Sequence, residues 1–332
     1  MIPTLLRASL ASGSRAAYKS GLHRFRAFIL EACATLAVGP TPTASAADLR
    51  ALLAEPWIVG TFVGMLYMEG LRAGTARSYL QGVQHFATDL DGLPASTHPA
   101  VALILKGFTA TGPAVEAKRP PISATTLEAM LQALPSFAAP YEAALLKAVF
   151  TVAFYGCFRA SEYLQGADAD KCLRLRDISL EAPGSLVISV KKTKTNQHGP
   201  PQQVCLPTQQ GISCPVTAMR EFLGVRPQSL GPNSALFFCT TRRGPFTAKH
   251  LNNQMKKLLA SIGVPNAHTY SSHSFRIGAA TTAASRGATL VEIQALGRWN
   301  SNTALEYISA EVSQTMAVQT RSRLGPSHPA SG

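Results

Sequence analysis

Residues 271–309 read SSHSFRIGAATTAASRGATLVEIQALGRWNSNTALEYIS. His273 and Arg276 stand three residues apart on a predicted helix, so both leave from one face. Trp299 follows a second helix and a turn, and Tyr307 comes eight residues later. Each residue type has a separate chemical task. An arginine fork holds two phosphate oxygens at once, an imidazole donates to an oxygen or moves a proton, and a phenol attacks phosphorus once its proton is removed. Together they describe phosphoryl transfer without a metal. Ser271 or Ser272 can cap the first helix, Gly278, Ala279, Ala280 and Ala283 permit close packing, and Gly287 reads as its stop signal. Thr289 and Glu292 make a capping box for LVEIQAL, which Gly297 closes.

Upstream, residues 139–156 are nearly all apolar and predict a buried helix that ends just before Arg159 and Glu162. An arginine there needs a carboxylate, an array of carbonyls or a ligand phosphate, because an unpaired buried charge costs several kcal/mol. A salt bridge to Glu162 and a bound phosphate are both open on this segment alone. Residues 173–206 change character. The alternation in LVISV, a polar turn and a second short apolar run predict strands joined by a hairpin, whose tip carries Lys191, Lys192 and Lys194. A lysine on such a turn can reach a neighbouring groove and donate a proton.

The motifs FYGCFRASEYL with Arg159, VKKTKTNQHG with the lysines, HSFR with His273 and Arg276, GRW with Trp299 and ALEYI with Tyr307 together resemble the tyrosine recombinases, or phage-type integrases. The wording of the last two is most similar to recombinases of DIRS-type and Crypton-like eukaryotic elements. The resemblance implies a mainly α protein with a small β-sheet: a helical, SAM-like core-binding domain over 1–112, a linker over 113–122, and an α+β catalytic domain over 123–332. It also implies a site-specific recombinase that breaks and rejoins double-stranded DNA through a 3′-phosphotyrosyl link at Tyr307. Arg159 and Arg276 would hold the phosphate, His273 would assist proton transfer, and Trp299 would donate its ring N–H to a non-bridging oxygen. The family's general acid is a hairpin lysine. The KTNQHG wording favours Lys194, and counting strand residues favours Lys192. No cofactor is implied, and the expected assembly is a tetramer on two DNA sites, with a nuclear location if the host is eukaryotic. Rival readings are a type IB topoisomerase-like relaxing enzyme and a domesticated DNA-binding protein without activity.

Composition agrees with a polyanionic partner. Lys and Arg number 31 against 18 Asp and Glu, a formal charge of 31 − 18 = +13, which draws in DNA and releases its counterions. The length exceeds the roughly 250–300 residues at which one core stops growing, so two domains are expected. The six cysteines form no CxxC pair, so no metal site is expected, and they read as reduced thiols. No run of 18 apolar residues is present, so no membrane partner is expected. Helical spacing marks 14–32, 46–54, 57–70, 74–90 and 97–109. The first thirty residues, rich in Arg and free of acids, fit either a transit segment or a helix with the stripe Tyr18, Leu22, Phe25 and Ile29. In the linker, Lys118 and Arg119 are candidates for backbone phosphates. Segment 247–262 sets Leu251, Met255, Leu258 and Leu259 on one face and leaves Lys249, Asn253, Lys256 and Lys257 for DNA, as Lys191 and Lys192 would be at the hairpin.

Overall fold

The stripe at Tyr18, Leu22, Phe25 and Ile29 lies on one helix, α1 (Ser12–Leu36), where Phe25 and Ile29 are buried. The computed structural model describes residues 12–36, 51–52, 55–87, 98–113, 119–166, 171–181, 184–193, 196, 199–241 and 243–299. The chain divides into two compact units, Met1–Ala117 and Lys118–Gly332. In the first, α1 is followed by α2 (Pro56–Met68), α3 (Ala73–Ala87) and α4 (Pro99–Thr111). Proline opens α2 and α4 at a position whose N–H would have no helical partner, and the His98 imidazole accepts the Ala100 N–H to cap α4. Phe25, Phe62, Leu66, Val83 and Phe108 form the core, with Phe25 and Phe62 edge to face at 5.1 Å between centroids. Helices α1 and α3 cross with their backbones in contact. A methyl group at Gly82 would lie 2.6 Å from Tyr18 Cα, so only glycine fits there. The helix expected over 46–54 falls largely outside the described residues.

In the second unit, Ser123 Oγ accepts the Thr126 N–H at 3.0 Å and starts α5 (Ala124–Phe137). The apolar α6 (Pro140–Tyr155) runs through the core with Leu145, Val149, Phe150 and Val152 all buried. It packs against α5 and two later helices, α8 (Pro215–Val225) and α10 (His273–Ser285), beyond the short α7 (Ala160–Tyr163). The sheet has three antiparallel strands, β1 (Ile178–Glu181), β2 (Ser185–Val190) and β3 (Gln202–Pro207). Leu186, Ile188 and Val190 alternate inward along β2, and Val187 stands opposite Cys205. The sheet is therefore the expected hairpin with one more strand, β1, paired to the outer edge of β2. A second ladder joins β4 (Phe238–Cys239) to β5 (Gly244–Pro245) and leads into α9 (Ala248–Ser261). Thr247 caps α9 as expected, and Leu251, Met255, Leu258 and Leu259 are its buried face. The last described helix is α11 (Leu290–Gly297).

The end of the linker is seated directly on α10. Ile122 is buried and donates its N–H to Ser274 O at 3.0 Å. A Cβ at Gly278 would come within 1.8 Å of Ile122 O, so the glycine in HSFRIG is what lets the strap lie down. No described helix is long and apolar enough to cross a membrane.

Candidate active site

Three separate stretches of the second unit meet around one backbone carbonyl. Arg276 is fully buried on α10; its Nη1 donates to Cys157 O and its Nη2 to Gly297 O at 2.5 Å. Arg298, just after α11, donates to Gly156 O at 2.9 Å and to the same Cys157 O at 3.4 Å. Cys157 takes a left-handed backbone conformation, with φ 47°, which turns the chain from α6 toward Arg159. Burial pushes its thiol up to about 11, so it stays a neutral SH.

Arg159 stands at the N-cap of α7, and of the two alternatives left open by its segment the salt bridge to Glu162 is the one the structure shows. Its Nη1 is 2.8 Å from Glu162 Oε1, and Glu162, 1% exposed, also takes Arg298 Nη2 on Oε2 at 2.8 Å. One buried carboxylate thus holds two guanidiniums. Arg298 sits over the Phe158 ring at 4.8 Å, and Trp299 lies on the Arg276 guanidinium, 4.2 Å from ring centroid to Cζ. Within this cluster the charges of Arg159, Arg276, Arg298 and Glu162 sum to +3 − 1 = +2. A shielded site with that excess is built for an anion.

His273, the first residue of α10, has its pKa held down to about 4, by burial first and then by the positive charges of Arg276, Arg119 and Arg159. It is neutral at pH 7 and can accept a proton. In the unfolded chain histidine titrates near 6.5. Between that value and about 4 the unfolded state binds more protons, so stability falls as pH falls through this window. His273→Asn is expected to flatten that part of the pH–stability curve of the DNA-free protein, read by urea denaturation. An unchanged slope would place the titration on another group.

The local signals of α10 and α11 mostly hold. Ser271 Oγ accepts the His273 N–H at 3.3 Å, whereas Ser272 has helical dihedrals and no capping bond. Gly287 has φ 89° at the expected stop, and Thr289 and Glu292 exchange the bonds of the capping box. The end of α11 differs. Gly297 belongs to the helix, and the left-handed residue is Arg298, with φ 55°. Gly297 serves instead to make room for an indole, since a Cβ there would fall 1.8 Å from the Trp299 ring.

The hairpin lysines divide. Lys191 lies 2.6 Å from the carboxylate of Asp177, in the turn before β1, and is ion-paired there. Lys192 is half-buried at the end of β2, followed by Thr193, whose Oγ1 accepts the Asn196 N–H at 3.0 Å. On α9, Lys249, Asn253 and Lys257 are exposed and Lys256 is half-buried. Arg119 is exposed within electrostatic reach of His273. Tyr270 is half-buried against the core, its phenol raised by burial. Lys118, Lys194 and Tyr307 lie outside the described residues.

Sequence reading missed two groups. Arg298 was hidden because a charged residue in a left-handed turn carries no local signature. On α1, Arg15, Lys19, His23 and Arg26 are all exposed. Their i, i+4, i+8, i+11 spacing puts them on one ridge and could have found them.

A helical unit, an α+β unit and an arginine cluster around buried Arg276 and Glu162 with a neutral histidine fit a tyrosine recombinase, an enzyme that breaks and rejoins DNA. The model of the phage integrase family matches residues 122–312, more than half of the chain, and the chain belongs to that family. It is a site-specific DNA recombinase. Curated proteins include no match. Among solved structures, the XerH site-specific recombinase bound to palindromic difH substrate in a post-cleavage complex is 19% identical with a TM-score of 0.54, over 80% of this chain and 70% of that one. The Tn1549 transposon integrase in complex with circular intermediate DNA is 15% identical with a TM-score of 0.54, over 86% and 88%. At these identities the likeness is one of fold.

Proposed function

We propose that this chain acts for a mobile element, cleaving duplex DNA by in-line attack of Tyr307 on a backbone phosphate. The attack forms a 3′-phosphotyrosyl bond and releases a 5′-hydroxyl. A 5′-hydroxyl from another strand then reverses the step and restores the phosphodiester. The observation that carries this reading is the net +2 cluster of Arg159, Arg276, Arg298 and Glu162 beside neutral His273. Arg159 and Arg276 meet the charge of the phosphate, and the carbonyls of Cys157 and Gly297 fix the Arg276 fork before substrate arrives. Trp299 covers that fork and is the indole donor to a non-bridging oxygen. His273 takes the phenolic proton, and Lys194, with Lys192 as the alternative, supplies one to the departing 5′-oxygen.

Duplex DNA is the partner; the XerH recombinase is solved on its palindromic difH substrate and the Tn1549 integrase on circular intermediate DNA, which supports a DNA partner. The first unit is the core-binding domain, and the ridge from Arg15 to Arg26, with Arg119, Lys249, Asn253 and Lys257, meets the DNA. Strand exchange uses four copies on two sites. The deciding experiment is incubation with a nicked suicide duplex that traps the covalent adduct, followed by peptide mapping. An adduct on Tyr307 with a 3′-phosphate supports the reading. An adduct on another residue, or supercoil relaxation without exchange between duplexes, overturns it.

The cluster also orders the energetics. Glu162→Gln is expected to cost about 3–5 kcal/mol of stability, because it takes the buried carboxylate from two half-buried guanidiniums at once. Arg298→Ala removes one partner and keeps the Arg159 pair, so it should cost less. Chemical denaturation of both variants measures the order. The reverse order would show that the bonds of Arg298 to Gly156 and Cys157, and not Glu162, hold this corner together.

A further inference from the structure

We propose that Glu142, Cys239 and His250 form a binding site for one zinc ion, apart from the recombination chemistry. The three residues come from three elements of the second unit: Glu142 from the first turn of α6, Cys239 from β4 and His250 from the first turn of α9. One ligand atom from each lies within 4.8 Å of the other two. Glu142 Oε1 is 3.7 Å from Cys239 Sγ, close to the edge of about 3.5 Å expected between ligands of a tetrahedral zinc. The Thr241 hydroxyl donates to the same carboxylate oxygen at 2.8 Å and lies 3.1 Å from the sulfur. It holds both groups in the way that outer hydrogen bonds orient metal ligands.

The donor set selects the metal. A thiolate, an imidazole and a carboxylate suit zinc, whereas magnesium and calcium take oxygen alone. Charge balances as well. The thiolate and carboxylate sum to −2 against the +2 of the ion, with the imidazole neutral, and the thiol proton leaves to solvent, one per ion bound. A water completes the fourth position. Cys239 is 1% exposed, and burying a thiolate there is favourable only with such a partner. The gain is mechanical. The β4–β5 ladder has only two residue pairs, and zinc would tie it to the starts of α6 and α9.

The test uses the full-length, untagged chain, stripped with a chelator and titrated with zinc chloride against a chromophoric competitor. One ion per chain and a melting temperature raised by zinc are expected. Cobalt(II) in place of zinc should give a thiolate-to-metal charge-transfer absorption that Cys239→Ser removes and Cys205→Ser, an exposed cysteine, retains. His250→Ala should weaken zinc binding by about tenfold or more. Absence of retained metal and of any zinc-dependent shift in the unmutated protein overturns the proposal, leaving a cluster of ordinary hydrogen bonds. A charge-transfer band that survives in Cys239→Ser overturns it too, by placing the ion on another cysteine.

Discussion

Tyr307→Phe is expected to abolish the covalent protein–DNA adduct and to leave DNA affinity within a few-fold of the unmutated protein. The phenolic oxygen is the only atom removed, and it is the one that would bond to phosphorus. On the proposed reading, affinity would rest on cations that this change does not touch: Arg15, Lys19 and Arg26, the exposed Lys249 and Lys257, and the arginine cluster. Gel shift and denaturing electrophoresis on the same suicide duplex read the two quantities side by side. An adduct that persists, mapped to Tyr270 or another tyrosine, would overturn the assignment. Tyr270 is a poor substitute because burial already raises its phenol.

Arg276→Lys should slow single-turnover cleavage by a factor on the order of a hundred or more, because an ammonium cannot reproduce a planar fork around a pentacoordinate phosphate. Here the loss is compounded by position. Arg276 reaches Cys157 O and Gly297 O simultaneously, with its Cζ over the Trp299 ring. A lysine nitrogen is a single point and cannot reproduce the two spaced donors of the fork, and a buried acceptor left over should cost about 1–3 kcal/mol of stability. Near-normal cleavage by this variant, at a temperature where it is folded, would show that Arg276 is structural.

What could be read in advance was whatever has a local cause. The capping box of Thr289 and Glu292, the cap at Thr247, the apolar face of α9 and the buried run of α6 depend on spacing within a few turns, and each is found where the spacing puts it. Arg159 and Glu162 are three residues apart, so their pairing was visible beforehand. Helix α8 went unread because it opens on Cys214 and Pro215, with a sulfur in place of the usual hydroxyl or carboxylate cap. Strand β1, ISLE, alternates apolar and polar but is only four residues long, and the same alternation runs on through LRLR into the turn before it. The second partner of Glu162 stands 136 residues away at Arg298, and Cys239 stands 97 residues from Glu142. Such meetings are made by tertiary packing, and no window of sequence contains both partners.

The Cys157 carbonyl, shared by Arg276 and Arg298, makes the order of synthesis matter. Its two donors lie 119 and 141 residues downstream, and the acceptor of the other Arg276 bond, Gly297, is later still than Arg276 itself. A nascent chain that has emerged through Arg159 therefore carries the exposed Arg15, Lys19 and Arg26 but no oriented Arg276 fork. A fragment truncated before Gly297 is in the same condition. On the proposed roles, a product that ends before Gly297 would lack the clamp needed for cutting, whether or not it bound DNA.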